Sequence, residues 1–248
     1  MSDMRVTGMI TSVMKIGEYD RRIVLLTKEV GRISAFVRNA RRPNSPFLAA
    51  SAPFVTGVFY LYRGRDSYSV REIEVREYFS ELSADIERTY YGLYFLDVAN
   101  FYTRENNHEA PTLYLVFRAL AALRAGEMAP ALVRAVFELR MLTVHGEYPY
   151  LARFMDTKEP VDDRPVYGFN LRKDGLVAQG GRQLQKATVR AMDYVIRTDG
   201  AAVFSFAVSE SVEREFTGLI TDYFRYKTGH EFKSLAALSW LQGPSSEA

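Results

Sequence analysis

The spacing of apolar residues changes near residue 80, and this change constrains the fold more than any other feature of the chain. Before it, β-branched and aromatic residues form short alternating runs bounded by turn signals. After it, apolar residues recur at the three- to four-residue spacing of amphipathic helices. The sequence therefore predicts an α+β chain of more than one domain, with a β domain first and an all-α domain after it.

The first 80 residues predict five strands, at residues 6–15, 21–27, 31–38, 54–63 and 66–75. Five short strands in so few residues favour a small closed barrel over a sandwich.

After residue 80 the sequence predicts a series of helices with one non-helical segment between them. Prolines at 111 and 130 suit first helical turns, and helices are also predicted over 182–197 and from about 209 to Gly229. Between them, the runs on either side of Lys173-Asp174-Gly175 predict a β-hairpin. The predicted divisions are a barrel at 1–80, helical segments at 81–152 and 184–243, an inserted hairpin at 153–183, and a disordered tail at 244–248.

Several kinds of site are not indicated. The chain has no cysteine, so disulfides and thiolate metal sites are excluded. It also has no phosphate loop or GxSxG serine, and its three histidines lack metal-ligand spacing. No apolar run reaches the roughly 20 residues that span a bilayer, and the first residues do not read as a signal peptide. We expect a cytoplasmic protein that is not an enzyme and has no cofactor.

Positive charge is concentrated at the amino-terminal end. The net charge is only +2 overall, but residues 1–80 carry 13 Lys and Arg against 8 Asp and Glu, a net charge of +5, whereas the remainder carries 19 against 22, a net charge of −3. Such a distribution attracts a polyanion to the barrel, although a window this short also allows a chance fluctuation.

One predicted strand alternates cations with a ring. In "GRISAFVR" the period of two places Arg32, Ser34, Phe36 and Arg38 on one face and Ile33, Ala35 and Val37 on the core face. A nucleic-acid base can stack on an exposed ring while arginines neutralise its phosphates. The alternative is that Phe36 closes one end of the barrel and the arginines only face solvent.

The loop "VRNARRPNSPF" begins with Arg38 and adds two more arginines, Arg41 and Arg42. We expect Pro43 and Pro46 to hold it extended, which leaves its guanidinium groups to an outside anion. The predicted DNA-binding set comprises Lys15, Arg21, Arg22, Arg32, Phe36, Arg38, Arg41, Arg42, Arg63 and Arg65. No base-reading helix is indicated, so we expect weak sequence preference and strong salt dependence.

Three stretches resemble the RecO family of recombination mediators. They are "IGEYDRRIVLLTKEVGRISAFVRNARRPNSP", "FELRMLTVHGEYP" and "YFRYKTGHEFKSL", which together follow the family's order along nearly the whole chain. The first is similar to the family's Gly-Glu-x-Asp-Arg turn, Thr-x-x-x-Gly-Lys/Arg strand entry and basic loop; the last is similar to its Lys-Ser-Leu signature.

The resemblance implies an amino-terminal OB-type barrel, a helical domain and an inserted zinc-ribbon-like hairpin. It also implies binding of single- and double-stranded DNA, strand annealing, and work with RecR in loading RecA onto DNA coated by single-strand-binding protein (SSB). Many members carry four zinc-binding cysteines in the insert, and this chain has none. We therefore expect no zinc, and a hairpin held by packing of Pro160, Val166, Tyr167 and Phe169.

The family also implies binding of the acidic SSB tail, which requires an apolar groove rimmed by cations. Arg118, Arg134 and Arg140 lie beside apolar residues of predicted helices and are the candidates, with plain helix-surface arginines as the alternative. A protein-binding adaptor whose barrel does not touch DNA is the rival function. A metal-dependent nuclease is a weaker one.

Overall fold

A computed structural model describes residues 2–65 and 67–242. Two compact units are formed, one by Met1–Arg124 with Phe232–Ala248 and the other by Ala125–Glu231. The tail predicted to be disordered, 244–248, lies outside the described residues.

The first unit begins with a closed five-stranded barrel, as predicted. Its strands are β1 (Ser2–Ile16), β2 (Asp20–Thr27), β3 (Gly31–Val37), β4 (Thr56–Arg63) and β5 (Tyr68–Glu77), and they close in the order β1-β2-β3-β5-β4. The pair β3–β5 is parallel, and the other pairs are antiparallel. A short helix, α1 (Phe47–Ala50), lies between β3 and β4.

The barrel closes around side chains that alternate along each strand. Ile10, Ile23, Leu25 and Phe59 are fully buried in it. A register shift in β1 and two in the β4–β5 pair bend these strands, which closure of so small a barrel requires. At Gly57 a Cβ atom would lie 2.2 Å from the carbonyl oxygen of Glu74, so no larger residue fits there.

Two helices follow the barrel within the first unit. Helix α2 (Ile86–Tyr102) begins at Asp85, whose carboxylate accepts the backbone N–H of Arg88, and α3 (Ala110–Ala125) follows it. Thr11 of β1 donates to the Asn100 side chain of α2 at 2.7 Å. The predicted boundary at residue 80 therefore separates elements that share one compact unit, because α2 is bonded directly to the barrel.

The second unit combines three helices with a small sheet. Helix α4 (Pro130–Val144) precedes strands β6 (Val166–Asn170), β7 (Gly175–Val177) and β8 (Arg182–Gln185), and helices α5 (Lys186–Arg197) and α6 (Glu210–Thr228) complete it. Strands β6 and β7 form the predicted hairpin, and β8 adds to the other edge of β6.

The prediction of helix from residue 182 is wrong for its first four residues. In β8 only Leu184 is apolar, and it is fully buried between exposed polar neighbours. Alternation of buried and exposed side chains at every second residue is typical of a strand. Helix begins only at Lys186. The sheet thus extends beyond the boundary predicted at residue 183.

Polar contacts and rings hold the cysteine-free insert. The Asp156 carboxylate accepts the backbone N–H groups of Ala178 at 2.9 Å and Gln179 at 3.2 Å. Tyr167 and Phe169 are buried as predicted. Pro160 and Val166 are exposed, so the prediction that they pack in the hairpin is wrong. Val166 is the first residue of β6, and Pro160 bridges to Arg153 outside the sheet.

Helix α6 is tied to this sheet through one buried phenol. The Tyr223 hydroxyl lies 3.2 Å from the Asp174 carboxylate and 3.1 Å from the Glu147 carbonyl oxygen. Lys227 lies 3.3 Å from the same carboxylate. Burial and then Asp174 raise the pKa of Tyr223 above its ordinary value, so this hydroxyl stays protonated and donates.

The chain ends on the first unit with α7 (Lys233–Gln242), which packs on α2. Ser234 donates to Asp97 at 2.7 Å, and the Phe232 ring meets Tyr94 and Phe101 edge-on. This helix was not among the predicted elements.

Candidate nucleic-acid interface

The outer face of β3 carries the alternation that the sequence predicts. Along Gly31–Val37 every second side chain is buried, and Arg32, Ser34 and Phe36 between them are partly exposed. Arg22 on β2 lies directly opposite Phe36. A guanidinium and a ring are therefore neighbours on this face, as cross-strand pairs of a sheet are.

A groove of about 800 Å³ runs over this face. Five residues of the predicted DNA-binding set line it: Arg22, Arg32, Phe36, Arg63 and Arg65. The remaining walls include Ser34, Tyr68 and Glu105. The groove is thus a concave surface with four arginines, one carboxylate and one partly exposed ring.

Arg32 is fixed in position by the end of α2. Its Nη1 donates to the Asn100 carbonyl oxygen at 2.5 Å, where the helix end is partially negative. Burial and then the neighbouring Arg104 lower the pKa of Arg32 from its ordinary value, but an arginine remains protonated at neutral pH. The groove therefore holds a cation that is oriented before any ligand arrives.

Gly31 allows this close approach. Its φ is +69°, and a Cβ atom there would lie 2.2 Å from the carbonyl oxygen of Arg104. Its backbone also bridges to Glu105. Residues 104–107 therefore lie against the start of β3 and bring Glu105 to the groove.

The basic loop is a series of hydrogen-bonded turns, so the prediction that Pro43 and Pro46 hold it extended is wrong. The backbone N–H of Arg41 donates to the Tyr19 carbonyl oxygen, and that of Ser45 donates to Arg42. Such short-range turns satisfy backbone groups of the loop without a strand partner, and proline is a favoured residue of turns because its fixed φ suits them.

The three loop arginines differ in their freedom. Arg38 is exposed. Arg42 is also exposed, and its guanidinium lies 5.0 Å from the centre of the Tyr19 ring. Arg41 is half-buried, and its Nη1 donates to the Glu18 carbonyl oxygen at 3.0 Å. Arg38 and Arg42 can meet an anion without rearrangement, while Arg41 also holds two loops together.

Arg21 and Lys15 lie outside the groove. The Arg21 guanidinium donates to the Leu48 carbonyl oxygen at 2.9 Å and to the Ser51 hydroxyl at 2.8 Å. Burial and then Arg41 lower its pKa from the ordinary value. Lys15 is exposed on β1, paired in register with Arg21. Arg21 therefore positions the chain after the basic loop, unlike its neighbour Arg22.

Within residues 2–65 and 67–242, none of the nine basic side chains of the predicted set forms an ion pair with a carboxylate. Their charges are therefore not neutralised internally by the described acids. This distinguishes them from Arg71, which pairs with Asp3, and from Arg124, which pairs with Glu77.

The three arginines predicted to bind an acidic tail have different surroundings. Arg118 is half-exposed on α3 of the first unit. In the second unit, Arg134 donates to Thr221 at 2.6 Å and lies 3.8 Å from the buried carboxylate of Glu138.

Arg140 has an internal role. It is 9% exposed, and its Nη1 donates to the carbonyl oxygens of Val195 at 3.1 Å and Ile196 at 2.7 Å, at the end of α5. The guanidinium is therefore bonded to carbonyl oxygens that have no partner within the helix itself. The structure therefore contradicts its assignment to a peptide groove.

Sequence reasoning missed Glu105, Tyr68 and Arg104 as groove or groove-supporting residues. Tyr68 donates to the Glu105 carboxylate at 3.1 Å, and Arg104 caps the end of α2 through Phe101 and Thr103. Residues 104 and 105 lie far along the chain from β3, in a segment without a motif. Only the folded backbone brings them to it.

Other kinds of site are not seen in the part of the chain that the structure describes. It contains no cluster of three or more His, Asp or Glu residues that could hold a metal ion. Among the same residues, no helix combines the length and apolar character needed to cross a bilayer.

Family comparisons agree with this architecture. The family model described as "Recombination protein O N terminal" matches residues 1–79, and "Recombination protein O C terminal" matches residues 83–236.

Relatives called DNA repair protein RecO match over most of their length. The one from Acetivibrio thermocellus is 27% identical over 248 residues, covering 97% of this chain and 98% of the relative. That from Symbiobacterium thermophilum is 29% identical over 245 residues, covering 96% and 97%. That from Exiguobacterium sp. is 31% identical over 173 residues, covering 70% and 68%. The chain belongs to the RecO family of DNA repair proteins.

Proposed function

We propose that this chain is a non-enzymatic mediator of DNA repair that binds DNA along the outer face of β3. The observation that carries the proposal is the groove itself. It gathers Arg22, Arg32, Arg63 and Arg65 around the partly exposed ring of Phe36. Phosphates would lie on the guanidinium groups, and a base would stack on the ring.

The dimensions support a short segment of strand. β3 has seven residues, so the distance from its first to its last Cα atom is about 20 Å, for six steps of roughly 3.3 Å. That equals the rise of about six nucleotides in a B-form strand. It is compatible with the footprint of roughly 4–16 nucleotides known for OB folds.

Strand annealing requires that phosphate repulsion between two strands be reduced. The groove offers one set of cations, and the basic loop offers a second at the end of β3, with Arg38 and Arg42 exposed. Neutralising both backbones in this way needs no nucleotide hydrolysis. We therefore infer that annealing by this chain is driven by charge alone.

Partner proteins enter the proposal through the family. We infer that the chain acts with RecR and assists RecA loading on SSB-coated single strands. Arg118, which is half-exposed on α3, remains the proposed contact for the acidic SSB tail. Arg134 and Arg140 are withdrawn, because Arg134 is bonded to Thr221 beside the buried carboxylate of Glu138 and the guanidinium of Arg140 caps α5.

The test is the salt dependence of single-strand binding by the full chain. Replacing Arg22, Arg63 and Arg65 by Gln removes three groove charges without touching Arg32, which supports α2. For single strands each lost phosphate contact lowers the slope of log K against log salt by about 0.7, so the triple variant should lose about 2. Arg76→Gln is the matched control, because Arg76 is an exposed barrel arginine outside the groove.

An unchanged slope in the triple variant would remove the groove from the proposal. If the unaltered chain binds neither single- nor double-stranded DNA, the adaptor alternative is favoured instead. Binding of an acidic peptide by the same arginines would then be measured.

A further inference from the structure

One acidic side chain lies in the otherwise cationic groove. Glu105 lines it together with Arg32, Arg63 and Arg65. Despite this company, it forms no ion pair with any cation of the described chain. A surface carboxylate with no ion-pairing role, facing a ligand groove, is available to the ligand.

Two contacts hold Glu105 in place. Its backbone bridges to Gly31 at the start of β3. Its Oε1 accepts the hydroxyl of Tyr68 at 3.1 Å, and Tyr68 itself is only 7% exposed. The carboxylate is therefore positioned by a buried phenol, and its second oxygen has no bond within the described residues.

The charge of Glu105 determines which part of a bound strand can lie beside it. A phosphate there would be repelled, whereas the surrounding arginines attract phosphates. A base edge is uncharged and carries N–H donors, and a carboxylate only accepts hydrogen bonds. A strand in this groove should therefore turn a base, not its backbone, towards Glu105.

The bases differ in what they offer a carboxylate. On its Watson–Crick edge guanine presents two adjacent donors, N1–H and N2–H, which suit a charge-assisted contact. Cytosine and adenine present one amino group each, as in the known pairing of Glu with cytosine N4. Thymine presents a single N–H between two carbonyl oxygens, which repel the carboxylate.

We propose that Glu105 is a specificity-determining residue that makes the groove prefer unpaired guanine and disfavour thymine. This inference rests on the proposed function, since it assumes that a DNA strand occupies the groove. The contact requires a free Watson–Crick edge, so it acts on single strands only. It also modifies the expectation of weak sequence preference by adding one base-dependent contact.

The experiment compares single-stranded oligonucleotides of about eight nucleotides, within the footprint of an OB fold. One is all thymine, one alternates thymine with cytosine, and one alternates thymine with guanine. Binding to the full chain is followed by fluorescence anisotropy at several salt concentrations. The guanine-containing strand should bind roughly fivefold tighter than all-thymine, the lower end for one good base contact.

Glu105→Gln should reduce that preference to less than about twofold. It should also tighten binding of the all-thymine strand, because the repulsion between the carboxylate and the thymine carbonyl oxygens is lost. Glu74→Gln is the matched control. Like Glu105, Glu74 is an exposed carboxylate that accepts a tyrosine hydroxyl, from Tyr60 at 2.9 Å, but it lies on β5 outside the groove lining. It should leave the preference unchanged.

Tyr68→Phe provides a second variant, since it keeps the ring but releases the carboxylate. It should weaken the guanine preference while leaving the salt slope as it was, which a merely structural role would not do. Equal binding of all three strands with a normal salt slope overturns the role of Glu105 alone. A preference that survives in Glu105→Gln does the same. Absence of salt-dependent binding by the unaltered chain overturns the proposed function as well.

Discussion

Replacing Arg140 by Met should destabilise the second unit by about 2–4 kcal/mol. The guanidinium donates to two carbonyl oxygens at the end of α5, at 3.1 and 2.7 Å, and the residue is 9% exposed. Methionine keeps most of the apolar stem but leaves both carbonyls without a donor. Each costs about 1–2 kcal/mol, the lower part of the usual range, because the bond to Ile196 is only partly buried. The ion pair with Asp199 adds little, because the Asp199 side chain is 90% exposed.

The assay is hydrogen exchange of peptides covering residues 186–199, together with urea unfolding followed by far-ultraviolet circular dichroism. Peptide-level exchange is needed because the chain has two compact units, and a single unfolding free energy assumes one cooperative transition. In Arg140→Met, amide hydrogens in the last turn of α5 should exchange faster, by the factor that corresponds to the lost free energy of unfolding.

Arg197→Met is the control for Arg140. Arg197 ends the same helix, its side chain is 71% exposed, and it pairs with Asp193 across one helical turn. An exposed pair of this kind contributes about 0.3–0.5 kcal/mol. If Arg140→Met changes stability by no more than this control, the capping role assigned to Arg140 is refuted.

Three other predictions concern the cysteine-free insert. Tyr223→Phe should cost the second unit about 1–2 kcal/mol in urea unfolding, because it removes the buried donor to Asp174; Tyr226→Phe, at an exposed phenol, should change nothing measurable. Backbone hydrogen bonds, of which the one from Ala178 contributes most, lower the pKa of Asp156. The ionised carboxylate therefore stabilises the insert fully when the pH is above its unfolded pKa of about 3.9. This stabilisation is lost as the pH falls through the lower pKa of the folded state. The Ala178 amide proton should therefore titrate with a midpoint below about 3.9 in NMR spectra, and the titration should vanish in Asp156→Asn. Elemental analysis should find no bound zinc, and a chelator should leave the unfolding curve unchanged; one zinc per chain would show that prediction to be wrong.

Much of the architecture follows from local sequence pattern. The alternation in "GRISAFVR" predicts which side chains of β3 are buried, and the structure has Ile33, Ala35 and Val37 inside. β-branched and aromatic runs bounded by turn signals predict all five barrel strands. Helical spacing predicts α2, α3 and α4, because burial of one helix face requires that period. Residues of the predicted DNA-binding set that alternate on β2 and β3 therefore reach the groove together.

Tertiary structure alone decided which arginines are free. The strand period already places adjacent Arg21 and Arg22 on opposite faces, but the groove beside Arg22 and the bond from Arg21 to Ser51 depend on distant segments. Arg140 resembles any helix-surface arginine in sequence, yet the end of α5 occupies its guanidinium. Glu105 reaches the groove only because residues 104–107 lie against Gly31, a contact between distant segments that no local period encodes. The sequence by itself determined the elements and their buried faces, since these depend on neighbouring residues; the partners of each charged group depend on how distant segments pack, and only the folded chain decides them.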